Sequence, residues 1–327
     1  MIGRRRLAAL AGIGLAGAAL APPPSRADDF PVRSLTLVVP FAPGTAGDML
    51  ARLVTRPAAA LLGQAVVVDN RPVAGGVPAA GAVAAADPDG YTLLLATPAQ
   101  VGIPAAISRG LAFDPAVGFA PVALLADMPM VLVVSAGSTI GSLSDFIGQA
   151  RDRRGGLNYG STGVGTLSHL VMENLKLAAG IEVEHVPYRS NATALADLHA
   201  GQVQAIFTGA AQAAPLLASG KFRALAVTGQ ARSLLLPEVP TLAEAGLPDA
   251  EVAIWAGIVA PAGLPRVLGR KLERAFDEAV LSPEVRERLR PFGVEPVGQG
   301  AKALADVLAR DLALWQRVAQ ASGTSVN

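Results

Sequence analysis

At 327 residues, 51% of them hydrophobic and 16% charged, the chain has the content of a folded protein, not a disordered one, and room for two domains of about 100–200 residues each. A net charge of +1 and the lack of long Lys/Arg runs give no reason to expect a nucleic-acid partner. Cysteine is absent, which excludes disulfides, a thiolate nucleophile and cysteine-ligated metal.

The N-terminus reads as an export signal over residues 1–27. Arg4, Arg5 and Arg6 form a positive start, and Leu7 to Ala21 is apolar but too short and glycine-rich to span a bilayer. Small residues at Ser25 and Ala27 predict cleavage before Asp28 and a periplasmic mature chain, by the general or the twin-arginine route. The segment staying on as an anchor is the alternative. Its loss removes four of 27 basic residues and none of 26 acidic ones, leaving 23 against 26 and a charge of −3. The "GIGLAG" of residues 12–17 matches a dinucleotide fingerprint, but no strand precedes it, so that match is false.

Beyond this segment, strand-like and helical patterns alternate. Strands are predicted at 35–39, 65–69, 91–96, 131–134, 157–159, 183–186, 203–207, 224–227 and 255–259. Helices are predicted at 48–62, 143–153, 167–179 and 192–198, and then at 265–280, 283–290 and 301–321. Pro57 should kink the first helix. The Arg151–Arg154 cluster reads as a solvated helix end, with an anion patch as the alternative. The alternation implies an α/β fold built on parallel sheets with crossover helices. Turn-rich Asp127-Met128-Pro129 and Leu247-Pro248-Asp249 suggest two chain crossings. Domain 1 would then combine 28–128 with 253–327, domain 2 would be 129–252, and a ligand cleft would lie between them.

Two loops have the layout of an anion cradle. In "LTLVVPFAPGTAGDMLARLV" (35–54) a strand meets a loop containing Gly44 and Gly47, then a helix with Asp48 in its first turn. Backbone N–H groups and the helix dipole would point at one spot, with the glycines allowing a sharp turn and close approach. A plain strand-to-helix turn explains the same residues equally well. "NYGSTGVGTLSHL" (158–170) repeats the design with hydroxyls from Ser161, Thr162 and Thr166, or else is a helix capped by Ser161 or Thr162. Neither loop contains Lys or Arg, so carboxylate fits better than phosphate, and no nucleophile elbow is present.

Among the three histidines, His169 orients the second loop, lines the cleft or is structural, while His185 and His199 read as structural. No metal-ligand spacing and no cofactor motif occurs. Asp48 either bonds loop amides or accepts from a ligand. Tyr188 suits the cleft, a hinge or packing; Trp255 and Trp315 belong in the core.

These motifs resemble one family. "LVVPFAPGTAGD" (37–48), "LGQAVVVDNRPVAGG" (62–76), "ADPDGYTLLLAT" (86–97) and "LAFDPAVGFAPVALLA" (111–126) are followed by the second loop and "HVPYRSNATALADLHAGQVQAIF" (185–207). "GKFRALAVTGQARSLLLPEVPTLAEAGLP" (220–248), "WAGIVAPAGLP" (255–265) and "PEVRERLRPFGVEPVG" (283–298) complete the series. In order and spacing it resembles the periplasmic solute-binding proteins of tripartite tricarboxylate transporters, often called the Bug family.

The resemblance implies a two-domain periplasmic-binding-protein type II clamshell that holds a small organic carboxylate through main-chain amides and bridging water. Carried onto matching positions, the ligand-binding residues would be Phe41, Ala42, Pro43, Gly44, Thr45 and Asp48 in the first loop. Ser161, Thr162, Gly163, Gly165 and Thr166 would serve in the second, with Thr97 and Thr208 lining the cleft. It implies a monomer that delivers its ligand to membrane permease subunits, needs no cofactor or metal and catalyses nothing. A sensor kinase as partner and an exported hydrolase using Ser161 and a histidine are the competing readings. The chain departs from the family at Thr45 and Val73, where glycine is usual, and at Gln204 and Thr208, where an Asp pair is frequent. The last two argue against carrying over an amino-acid ligand.

Overall fold

The computed structural model describes residues 29–152 and 156–326, so the expected signal segment and part of the Arg151–Arg154 cluster lie outside the described residues. Strands β1 (Leu35–Val39), β2 (Val66–Asn70), β3 (Thr92–Ala96), β4 (Phe119–Asp127), β10 (Trp255–Pro261) and β11 (Glu295–Pro296) form one sheet, ordered β11-β4-β10-β3-β1-β2. A second sheet, ordered β7-β6-β8-β5-β9, contains β5 (Met130–Ser135), β6 (Asn158–Ser161), β7 (Glu184–Pro187), β8 (Ala205–Gly209) and β9 (Phe222–Val227). The inner strands read as continuous apolar runs because helices cover both faces: every residue of β10 is buried.

The sheets are mixed, which corrects the expectation of parallel sheets throughout. β1, β2 and β3 run parallel, as do β6, β7 and β8. β10 is antiparallel to β3 and β4, and β5 is antiparallel to β8 and β9. The cause is the crossing of the chain. β4 ends at Asp127 and β5 begins at Met130 in the other sheet; the return leads into β10 at Trp255. A strand that enters its sheet at the carboxyl edge of its neighbours must run against them. The two crossings are bonded to each other, Met128 donating its N–H to the carbonyl of Ile254 at 2.6 Å.

The parallel triplets carry the helices that frame the site: α1 (Ala46–Leu62), α2 (Val77–Ala84) and α3 (Gly102–Ile107) on the first sheet, α5 (Leu167–Ala179), α6 (Asn191–Ala200) and α7 (Ala210–Ala218) on the second. α4 (Leu143–Asp152) precedes β6, and α8 (Arg266–Leu281), α9 (Pro283–Leu289) and α10 (Gly300–Ser322) finish the chain. Expected boundaries fall within about two residues of most of these. β4, β11, α2, α3 and α7 were not expected. β4 contains Pro121, a residue that argues against a central strand, yet it is tolerated where the β4–β10 register shifts between Ile258 and Val259. α1 runs on through Pro57.

Leu304 of α10 packs with Val38, Leu94, Leu124 and Trp255 of the first sheet. Further along α10, Trp315 joins Ile103 and Ile107 of α3 in the core of the second sheet, with Leu132, Phe146, Tyr159 and Phe207. Trp255 and Trp315 are fully buried, as expected, and Trp255 donates Nε1–H to Asp311 of α10 at 2.7 Å. Burial of each such large side chain contributes about 1.5–3 kcal/mol.

Candidate functional site

Both loops follow a strand at the carboxyl edge of a parallel triplet, the edge where open α/β sheets hold ligands. The first runs from the end of β1 into α1. Gly44 has φ 83°, the left-handed region that suits glycine, and its N–H donates to Asp48 Oδ2 at 2.8 Å. Asp48 also accepts from Arg52 Nε at 3.0 Å and from Asn70 Nδ2 at 2.8 Å. Burial pushes its carboxyl upward, but the bonds from Arg52, Gly44 and Asn70 together with the Arg52 charge outweigh this and hold it below the usual range. Asp48 is therefore an ionised brace inside the loop, the loop-bonding alternative of the two open for it.

Gly47 sits within α1, where an added Cβ would overlap the Phe41 ring. The packing of Phe41 by itself calls for glycine at this position. Thr45 has φ −77° and ψ 165°, so the non-glycine residue causes no strain, and its hydroxyl donates to the Ala42 carbonyl at 2.8 Å. With Gly44 bonded to Asp48 and Thr45 N–H to Ala42, the loop donors without a hydrogen bond among the described residues are the amides of Phe41 and Ala42 and those of the first turn of α1, Ala46, Gly47 and Asp48.

The second loop runs from β6 into α5 and is stitched in the same way. Ser161 Oγ accepts from the N–H of Gly163 at 3.0 Å and lies 2.6 Å from His185 Nε2. Thr162 N–H donates to Ser168 Oγ at 3.1 Å, and Gly165 N–H to His169 Nδ1 at 3.2 Å. The cap of α5 is Thr166, not Ser161 or Thr162 as the capping alternative had it; Thr166 Oγ1 turns back to the Gly163 carbonyl at 2.7 Å. Among the described residues the amide of Val164 and the first-turn amides of Leu167 and Ser168 are left without a bond. Gly165 lies against α3: a Cβ there would come within 2.6 Å of Ile107 Cδ1. On another side, a Cβ on Gly293 would come within 2.9 Å of the Ala211 nitrogen at the start of α7. These two contacts join the lobes.

Thr97, buried after β3, shares Gln100 Oε1 between its N–H at 3.0 Å and its hydroxyl at 2.7 Å. Gln100 in turn donates to the Gly75 carbonyl at 2.8 Å. Thr208, at the end of β8, donates to Gln212 at 2.8 Å and accepts from Asn191 at 3.0 Å. Asn70, Gln100, Asn191 and Gln212 are thus supports that sequence reasoning missed; each stands within four residues of the carboxyl end of a parallel strand, a position that would have found them. Gln204 is at the other end of β8, bonded to the Asn158 N–H at 2.7 Å, so its difference from the family falls away from this edge. Tyr188 packs on the second sheet beside Gly160 and donates to Asp197 at 2.8 Å. Among the described residues no carboxylate hydrogen-bonds His185, so the Ser161–His185 contact lacks the third member that orients a catalytic base, and no cluster there could hold a metal ion.

Comparison with known proteins agrees with this geometry. Residues 50–324 match the family model described as the tripartite tricarboxylate transporter family receptor. A Pseudomonas sp. (strain P51) protein from the tcbD-tcbE intergenic region is 38% identical over 318 residues, 97% of this chain and 94% of the relative. MatC from Rhodopseudomonas palustris, solved with bound malate, is 35% identical with a TM-score of 0.73, over 88% of this chain and 99% of that one. Rpa4515 of R. palustris, solved with adipate, is 36% identical with a TM-score of 0.75, over 91% and 99%. The fold is the two-domain periplasmic-binding-protein clamshell, and the chain belongs to the tripartite tricarboxylate transporter family of receptors.

Proposed function

We propose that this protein is an extracytoplasmic receptor that captures a small organic carboxylate between its two loops and delivers it to the permease subunits of a tripartite tricarboxylate transporter. The observation that carries the reading is the pair of braced loops whose unbonded donors include the first-turn amides of α1 and α5, with no Lys or Arg in either loop. Amides and helix dipoles of this kind suit a carboxylate. The residues that face it are those named from the sequence, with the hydroxyls of Thr45, Thr162 and Thr166 committed to the loops themselves. MatC and Rpa4515, bound to malate and adipate, make di-acids the first compounds to try.

The same reading divides the chain into residues 28–128 with 253–327 and residues 129–252, with 1–27 removed on export. It makes the mature protein a monomeric carrier and not an enzyme. Thermal-shift screening of mono-, di- and tricarboxylates tests it, because a ligand that binds only the native state raises Tm. Stabilisation by neutral solutes and by no carboxylate would overturn it. Crosslinking to co-expressed permease subunits tests the delivery step, and capture of a sensor kinase in their place would redirect it.

A further inference from the structure

Behind the second loop, the rings of His169 from α5 and His185 from β7 are stacked with centroids 4.0 Å apart. Each is tied to a different part of the loop. Gly165 donates its N–H to His169 Nδ1 at 3.2 Å, while Ser161 Oγ, which receives the Gly163 N–H, lies 2.6 Å from His185 Nε2.

These bonds constrain protons. Nδ1 of His169 accepts, so the hydrogen of the neutral ring is on Nε2, 3.9 Å from Glu173 Oε1. A second proton on His169 has to go on Nδ1, which turns the acceptor into a donor facing the Gly165 N–H. A charge on His185 makes Nε2 a fixed donor to Ser161 Oγ and leaves the Ser161 hydroxyl hydrogen only the Gly163 carbonyl, at 3.1 Å, as acceptor in the loop. Stacked this closely, the rings resist carrying charge together.

The surroundings also favour the neutral rings. Tyr159 of β6 stacks on His185 at 4.9 Å and donates its hydroxyl to Glu173 Oε1, and Lys176 pairs with the same oxygen at 2.8 Å. The Glu173 carboxylate beside the pair is thus already engaged. Burial pushes His169 down to about 4, with Lys176 adding to the effect. Burial also takes His185 to about 4, helped by His169 and Lys176 and opposed by Glu173.

We propose that His169 and His185 are positioning residues for ligand capture: they hold the second loop in its receiving shape only while both rings are neutral, so that acid loosens the loop and weakens binding. The proposal rests on the carboxylate reading of the site.

In ligand-free, 15N-labelled protein, the Gly163 and Gly165 amides should shift with pH through the midpoint of the His169 and His185 ring nitrogens. An amide at Gly165 that stays put while His169 protonates would overturn the proposal, whatever the ligand.

Binding of adipate supplies the second arm. His169→Asn offers an oxygen acceptor near the place of Nδ1 and cannot titrate, so its affinity at pH 7 should stay within about threefold of wild type. His169→Phe keeps a ring but no acceptor and should lose about tenfold. From pH 7 to pH 4 the wild type should weaken about two- to fourfold more than the His169→Asn, His185→Gln double variant, the range for one or two half-titrated groups. Protonation of adipate itself is common to both proteins and cancels in the ratio. A double variant that weakens as steeply as wild type would overturn the proposal. If wild type binds neither adipate nor malate at pH 7, the choice of ligand class fails, and the amide titration still decides on the histidines.

Discussion

Asn70 Nδ2 lies 2.8 Å from Asp48 Oδ1 and 3.0 Å from the Phe41 carbonyl, so one side chain at the end of β2 ties the start of the first loop to the helix that follows it. Asp48 completes the brace through Gly44 and Arg52. Removing the carboxylate with Asp48→Ala leaves three donors without their acceptor and should cost about 2–3 kcal/mol in urea denaturation. Arg52 is half-exposed and can rehydrate, which limits the loss. Carboxylate affinity should fall as well, since the loop loses its shape. The lowered pKa of Asp48 gives the sign of the pH effect: its contribution is present above the unfolded value near 3.8 and is lost as pH falls through the lower folded one. Equal stability of Asp48→Ala and wild type at pH 7 would refute the brace.

Two glycines with the same φ of 83° should respond differently to alanine. At Gly44 a Cβ meets nothing within 4 Å, so Gly44→Ala carries only the left-handed backbone penalty of about 1 kcal/mol. At Gly76 a Cβ would overlap the Pro40 side chain and come within 3.3 Å of Gln100 Nε2, the group bonded to the Gly75 carbonyl. Gly76→Ala should cost at least about 1–3 kcal/mol more, from overpacking, and disturb the Thr97–Gln100 bonds. Thermal denaturation of the two variants gives the order; a reversed order would show that the Gly76 turn can move aside freely.

Asp127 ends β4 at the chain crossing, beside Glu295 of β11. Burial and then the Glu295 charge raise its pKa to about 6. A raised carboxyl binds its proton more tightly folded than unfolded, so the penalty of ionising it accumulates from about pH 4 to 6 and is full above that. Asp127→Asn should stabilise the protein at pH 7 by about 1–2 kcal/mol and hardly at all at pH 4. Chemical denaturation at both pH values checks this, and a gain equal at the two would assign it to packing.

The legible part of this protein was what local pattern dictates. β1 matched its expected residues because an apolar run stops at Pro40, and α5 matched because helical spacing holds from Leu167 to Ala179, although its cap Thr166 was not the one expected. β4 was hidden by Pro121, and the two-residue β11 has no pattern of its own; both exist through pairing with distant strands. The loops were recognisable from glycine and hydroxyl content, but not which donors they keep free. That depends on Asn70 reaching Asp48 and His169 reaching Gly165, contacts set by sheet order and helix rotation. His185 looked structural because its partner Ser161 is 24 residues away on the neighbouring strand.

Thr45 stands where relatives were expected to have glycine, and its geometry bears on ligand choice. Its φ of −77° is open to any residue, and its hydroxyl hydrogen is committed to the Ala42 carbonyl at 2.8 Å. Thr45→Gly should therefore loosen the loop by about 0.5–1.5 kcal/mol, from the lost hydrogen bond and the greater freedom of the unfolded chain. Thr45→Val removes the hydroxyl but keeps the branched Cβ that restricts the backbone, so it isolates the bond. If Thr45 acts only on the loop, both variants should bind adipate within about twofold of wild type at pH 7, a shift of about 0.4 kcal/mol. A tenfold loss in Thr45→Val with stability unchanged would mean that the hydroxyl leaves Ala42 to contact the ligand. Isothermal titration of both variants, alongside urea denaturation, distinguishes a brace from a specificity contact.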